Sequence, residues 1–160
     1  MRCLFLALFF VLAACANDSA APMEGDAQAA FILPDDPCAL VSVEEVEAAT
    51  GSTVVRSGPV PDKLMHVPTA PNPCEYVTDG QHGSIVVSVH PDGAAEFTRQ
   101  RDRDPVNTVA IEGVGDESFA HALASLSVRV GDGYFVLSTQ LGAGWPGVRD
   151  LQDLALAALG

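Results

Sequence analysis

SLSVRVGDGYFVL, residues 125–137, is the stretch that decides the fold class of this chain. Leu126, Val128 and Val130 alternate with Ser125, Ser127 and Arg129, so one side is apolar and the other polar, the period of a half-buried strand. Asp132-Gly133 is a strong signal for a two-residue hairpin turn. Placed there, the turn pairs Gly131 with Tyr134, Val130 with Phe135 and Val128 with Leu137, and the large apolar residues share one face. A three-residue turn would oppose Arg129 to Phe135 and mix the faces. The stretch predicts an antiparallel hairpin with one face in a core.

Further strands are expected on its N-terminal side. Cys74-Glu75-Tyr76-Val77 and Ser84–His90 read as two strands across a turn at Asp79-Gly80. Thr53, Val54 and Val55 mark a short strand over Ser52–Arg56. Ile111–Glu117 is a glycine-punctuated turn leading into a strand at Ser118–His121. Between them, Ala94–Arg103 reads as a helix with Phe97 as its apolar anchor. Residues 58–73, GPVPDKLMHVPTAPNP, carry prolines at 59, 61, 68, 71 and 73 and predict a long irregular loop.

Two further helices frame these strands. Ser42-Val43-Glu44-Glu45 is a capping box, with Val41 and Val46 spaced for a hydrophobic staple. Gly51 stands where a left-handed residue ends a helix over 43–50. Near the C-terminus, Trp145-Pro146 opens a helix whose Val148, Leu151, Leu154, Ala155, Ala158 and Leu159 form one stripe. Strands joined by hairpins and flanked by helices predict an α+β domain over residues 37–160. The expectation is a mainly antiparallel sheet of four to six strands, with the N-terminal and C-terminal helices packed on one face.

Before residue 37 the character changes. Arg2 and the ten apolar residues Cys3–Leu12 have the charge and length of an export signal, and the apolar run is too short for a spanning helix. Leu12-Ala13-Ala14-Cys15 has the pattern of a lipobox, which predicts a signal peptide over 1–14 and a lipid-bearing Cys15. Cleavage after Ala14-Cys15-Ala16 or Ser19-Ala20-Ala21 is the alternative, giving ordinary secretion. Residues 16–36, rich in Ala, Pro, Gly and acids, read as a tether spanning on the order of 25 Å. Within the tether, Phe31-Ile32-Leu33 reads as an arm docking on the domain. A lipidated protein of this kind belongs to the cell envelope, on the periplasmic side of an inner or outer membrane or on the outer face of a plasma membrane.

Both processing routes leave Cys38 and Cys74 as an even pair. In an oxidising compartment they form one disulfide. In the chain-entropy model, closing a loop of that size is worth roughly 3.5–4 kcal/mol. Neither cysteine stands in a C-x-x-C motif, so the bond is structural and not redox-active.

Charge narrows the partners. The chain carries 21 acids and 8 bases, net −13. Loss of Arg2 with the signal leaves 21 acids against 7 bases, net −14. Such a field repels nucleic acid and anionic lipid surfaces, so the membrane partner is reached through the lipid on Cys15.

Chemistry is harder to find. His66, His82, His90 and His121 lack the spacing of a zinc site, and Asp102-x-Asp104 lacks the oxygens of a calcium loop. Ser118, beside Asp116 and Glu117 and close to His121, is the nearest thing to a nucleophile, but it lacks a G-x-S-x-G elbow. Arg99, Arg101 and Arg103 are read as pairing locally with Glu96, Asp102 and Asp104. No cofactor motif is present. Met65 and His66 in the proline-rich loop, with Trp145, are the candidate binding face.

Several of these residues fall into a known order. Asp36-Pro37-Cys38-Ala39-Leu40, Glu44-Glu45-Val46, Gly51, Cys74-Glu75-Tyr76 and Gly113-Val114-Gly115-Asp116-Glu117-Ser118-Phe119 resemble a family of uncharacterised bacterial lipoproteins. That family is common in actinobacteria and has the order D-P-C-x-L…G…C-x-Y…G-V-G-D-E-A-F after a lipobox. Ser118 stands where the family more often has a small apolar residue. The resemblance implies an envelope-facing α+β domain and assigns no catalytic residue. The reading is a non-catalytic, membrane-anchored envelope protein that binds a protein or a small ligand. An inhibitor of an extracytoplasmic enzyme is the alternative, and an enzyme is the less favoured third.

Overall fold

The capping box forms as its spacing demands: Ser42 Oγ accepts from the Glu45 amide at 3.2 Å, and Glu45 accepts from the Ser42 amide at 2.7 Å. It opens helix α1, Val43–Thr50, which ends on Gly51 at φ 65°. A computed structural model describes residues 31–60, 72–79, 83–122, 124–140 and 147–160. Cys15, Met65, His66, His82 and Trp145 lie outside the described residues, as do the expected signal and most of the tether.

Among the described residues, seven strands form one antiparallel sheet. They are β1 Val54–Pro59, β2 Cys74–Thr78, β3 Ser84–His90, β4 Thr108–Ile111, β5 Glu117–His121, β6 Ser125–Val130 and β7 Gly133–Gln140. Their spatial order is β1-β2-β3-β7-β6-β5-β4. The fold is α+β as expected, but the strand count exceeds four to six. The strand that escaped the sequence reading is β4, four residues long at a sheet edge, with an exposed middle and no buried alternation to betray it. The proline-rich stretch also starts later than expected, because β1 runs on through Gly58 and Pro59. That is tolerated at a sheet edge, where a proline's missing N–H removes no ladder bond.

The hairpin keeps its faces but not its register. Val130 pairs with Gly133, Val128 with Phe135 and Leu126 with Leu137, so the turn residues are Gly131-Asp132 instead of Asp132-Gly133. Two demands for glycine compete here. Gly131 takes the positive φ, 58°, in open space. Gly133 is packed so closely that a Cβ would lie 2.6 Å from Leu33 Cδ1 and 2.8 Å from the His90 carbonyl. A shift of two residues preserves the pleat, so every apolar side chain stays on its predicted side.

One face of the sheet is sealed. Cys74, Tyr76, Ile85, Val87, Leu126, Val128, Phe135 and Leu137 meet Val41 and Val46 from the α1 end and Leu151, Leu154 and Ala155 from α3, Val148–Leu159. Helix α3 starts after Gly147; Pro146, expected in its first turn, lies outside the described residues with Trp145. Phe31 and Leu33 pack against this core, while Ile32 is exposed.

The disulfide Cys38–Cys74 closes over 36 residues. It joins β2 to a short 3-10 helix, Pro37–Ala39, which Asp36 caps by accepting from the Cys38 amide at 2.9 Å. Tyr76, two residues on and on the same face, donates its hydroxyl to the Val41 carbonyl at 2.5 Å. Burial, with Asp36 and Glu45 adding to it, pushes that phenol up to about 12. The C-x-Y motif is thus a covalent and a hydrogen-bonded tie from one strand to one turn.

Candidate functional site

The opposite face of the sheet carries the polar side chains, and only α2, Ala94–Arg103, packs on it among the described residues. Phe97 is the anchor predicted. It is fully buried, with ring centroids 4.9 Å from Phe119 and 5.8 Å from Tyr134. One turn on, Gln100 donates to the Tyr134 hydroxyl at 3.0 Å. The start of α2 is tied to the β6–β7 turn through the Ala94 amide and the Asp132 carbonyl, 2.9 Å apart. Gly93 before it is obligatory, since a Cβ would fall 2.4 Å from the Tyr134 ring. His90 stacks on the same ring at 4.3 Å, and burial holds its imidazole below the ordinary value.

Because α2 is short, it leaves two open cavities beside its C-terminal end. The smaller, about 400 Å³, is floored by Phe119, Ser125, Ser127 and Val136 and walled by Gln100, Arg103, Asp104 and His121. Asp104 ends the helix and makes a corner there. Its carboxylate accepts from Asn107 Nδ2 at 2.8 Å and lies 3.2 Å from His121 Nε2, and the Thr108 hydroxyl donates to its carbonyl at 2.7 Å. These hydrogen bonds, from Asn107 first and then His121, hold the Asp104 carboxyl below its usual range. The larger cavity, about 530 Å³, lies between the end of α2 and the β4–β5 hairpin, with Arg101, Asp102, Glu112, Asp116 and Glu117 around Ala110 and Phe119.

Of the residues singled out in the sequence, Cys38 and Cys74 are joined. Ser118 and His121 are not brought together. Three residues apart on one strand, they point to opposite faces, and Ser118 is buried, donating to the Ile111 carbonyl at 2.9 Å. The arginines pair much as read from sequence: Arg99 with Glu96, and Arg101 with Asp102. Arg101 also reaches Glu117, a partner sixteen residues away that local reading could not supply. Asp104 engages His121 and Asn107, and no acid partner of Arg103 occurs among the described residues.

The Asp104–His121 pair escaped the sequence reading, since it spans seventeen positions and depends on where α2 lies. Ser125 stands directly opposite His121 in register, yet no serine hydroxyl bonds to the imidazole among the described residues. No group of three metal-ligating side chains converges among the described residues. What the arrangement supplies is hydroxyls, an amide, a guanidinium and a carboxylate–imidazole pair on a rigid floor. Comparison with protein-family models, curated proteins and solved structures returns no match.

Proposed function

We propose that this chain is an exported, lipid-anchored protein of the cell envelope that binds its partner on the α2 face of the sheet and performs no chemistry on it. The observation that carries this reading is the contrast between the two faces. One is closed by α1, α3 and the disulfide; the other keeps two cavities open beside a single short helix. A stiff sheet sealed on one side is a scaffold that presents the other. The lipobox, the tether and the likeness to lipoproteins support the address, and a disulfide is compatible with an oxidising compartment.

Two measurements test it. Mass spectrometry of the mature N-terminus is expected to show acylated Cys15; an unmodified chain beginning at Asn17 or Pro22 would remove the anchor. Photo-crosslinking residues placed at Arg103 and at Ala157 of the full chain, expressed in its native envelope, are expected to capture a partner from Arg103 only. Ala157 lies exposed on α3, so equal capture from both positions would sink the assignment of the binding face.

A further inference from the structure

The two edges of the sheet are not alike. The β1 edge carries devices that deter further pairing: a register irregularity between Val54 and Arg56, the charge of Arg56, and Pro59. The β4 edge, Thr108-Val109-Ala110-Ile111, has no proline, no charge and no irregularity in its pairing. The Ala122 amide donates to the Asn107 carbonyl at 2.9 Å, which sets the alternation along β4. Val109 and Ile111 then turn their backbone groups toward β5, and Thr108 and Ala110 turn theirs outward. Among the described residues nothing pairs with those outward groups. Val109 beside them is 55% exposed, and Val106 just before the strand is 89% exposed.

The side chains of Thr108 and Ala110 project on the α2 face, where they line the 530 Å³ cavity. Four carboxylates, Asp102, Glu112, Asp116 and Glu117, line it with them against one guanidinium, Arg101. Arg129 approaches Asp116 and Glu117 from β6 at 3.7 and 3.6 Å, which still leaves an acid excess, and Glu112 has no cation partner among the described residues.

We infer that β4 receives an extended segment of a basic partner protein as an eighth strand, with a lysine or arginine of that segment seated in the acidic cavity. Backbone pairing to Thr108 and Ala110 supplies affinity, and every second side chain of the added strand lies over the cavity. A net charge of −13 draws a cationic segment in and repels a second copy, whose own β4 edge offers no cation. This inference deepens the binding reading above and rests on it, but not on the lipid anchor.

The test is a phage-displayed library of random twelve-residue peptides panned against the full chain in detergent micelles. Enriched sequences are expected to carry lysine or arginine among β-branched residues. Their binding is expected to fall by about tenfold or more with Ala110→Pro, which removes one outward N–H, and with Thr108→Lys, which opposes the charge. Methylating alternate backbone amides of the peptide gives the same loss without touching the protein, so the test survives a variant that fails to fold. The inference is overturned if nothing is enriched, if enriched peptides lack basic residues, or if binding survives these changes. It is equally overturned if sedimentation shows a dimer that Ala110→Pro dissolves, since a second copy would then own the edge. Acylation of Cys15 has no bearing on any of these outcomes, so the anchor and the edge fail separately.

Discussion

The Tyr76 hydroxyl donates to the Val41 carbonyl at 2.5 Å, two residues along the strand from the cysteine that bonds Cys38. Both ties fasten the chain just ahead of α1 to β2. Removing the hydroxyl leaves the Val41 carbonyl without this buried donor. Tyr76→Phe should therefore cost about 1–2 kcal/mol in urea unfolding. A variant as stable as the parent would show that water replaces the bond at no cost.

The disulfide should act through the unfolded chain. Cys38→Ala with Cys74→Ala is expected to lower stability by about 2–4 kcal/mol. Reductant should shift the parent by the same amount and leave the double variant unmoved. An unchanged parent under reducing conditions would mean that packing around the 3-10 helix already fixes the loop.

Two glycines of the G-V-G-D-E stretch make a contrasting pair. Gly113 has φ 79° with open space where a Cβ would stand, so Gly113→Ala should cost only conformational strain, about 1 kcal/mol. Gly115 has φ 60°, and a Cβ would meet the Arg129 carbonyl at 2.6 Å. Gly115→Ala should cost roughly 2 kcal/mol or more, because strain and a backbone clash combine. Equal costs would show that the loop moves to relieve the clash.

Acid should weaken the α2 face in two separate windows. His90 is lowered from 6.5 by burial, so the unfolded chain takes up that proton first, and stability falls as pH drops below 6.5. Asp104 is lowered from 3.8, so its contribution is complete above that value and fades as pH falls through and below it. His90→Phe should flatten the stability–pH curve in the first window only, and Asp104→Asn in the second only. Curves parallel to the parent in both variants would defeat the assignment.

Phe97→Ala tests whether the two faces are independent. Loss of a fully buried ring should cost about 3–4 kcal/mol. It should also raise amide exchange in α2 while sparing α1 and α3. Uniform loss of protection would mean that the two cores unfold as one unit.

Much of this molecule was legible in its residues, and the legible part is local. The Ser42–Glu45 box and Gly51 bound α1, Phe97 marks the buried side of α2, and the alternation over 125–137 assigns faces. Each rests on hydrogen bonds or periodicity within a few residues. Even the Cys38–Cys74 pair is legible by counting, since both expected processing routes leave only these two of the four cysteines free to pair. Within 113–117, Gly115 and Asp116 serve the backbone: the Asp116 carboxylate accepts from the Gly131 amide at 2.7 Å, and a Cβ at Gly115 would meet the Arg129 carbonyl.

What the tertiary structure decided lies where local signals are degenerate or silent. A two-residue slip leaves the pleat unchanged, so alternation could not choose between Gly131-Asp132 and Asp132-Gly133; the closeness of His90 and Leu33 to Gly133 did. The four residues of β4 hold no buried alternation, and only pairing with β5 makes them a strand. The side of the sheet that α2 covers, and with it the meeting of Asp104 with His121, follows from Phe97 seating between Phe119 and Tyr134. Those contacts join residues far apart in the chain, and no window of sequence contains them.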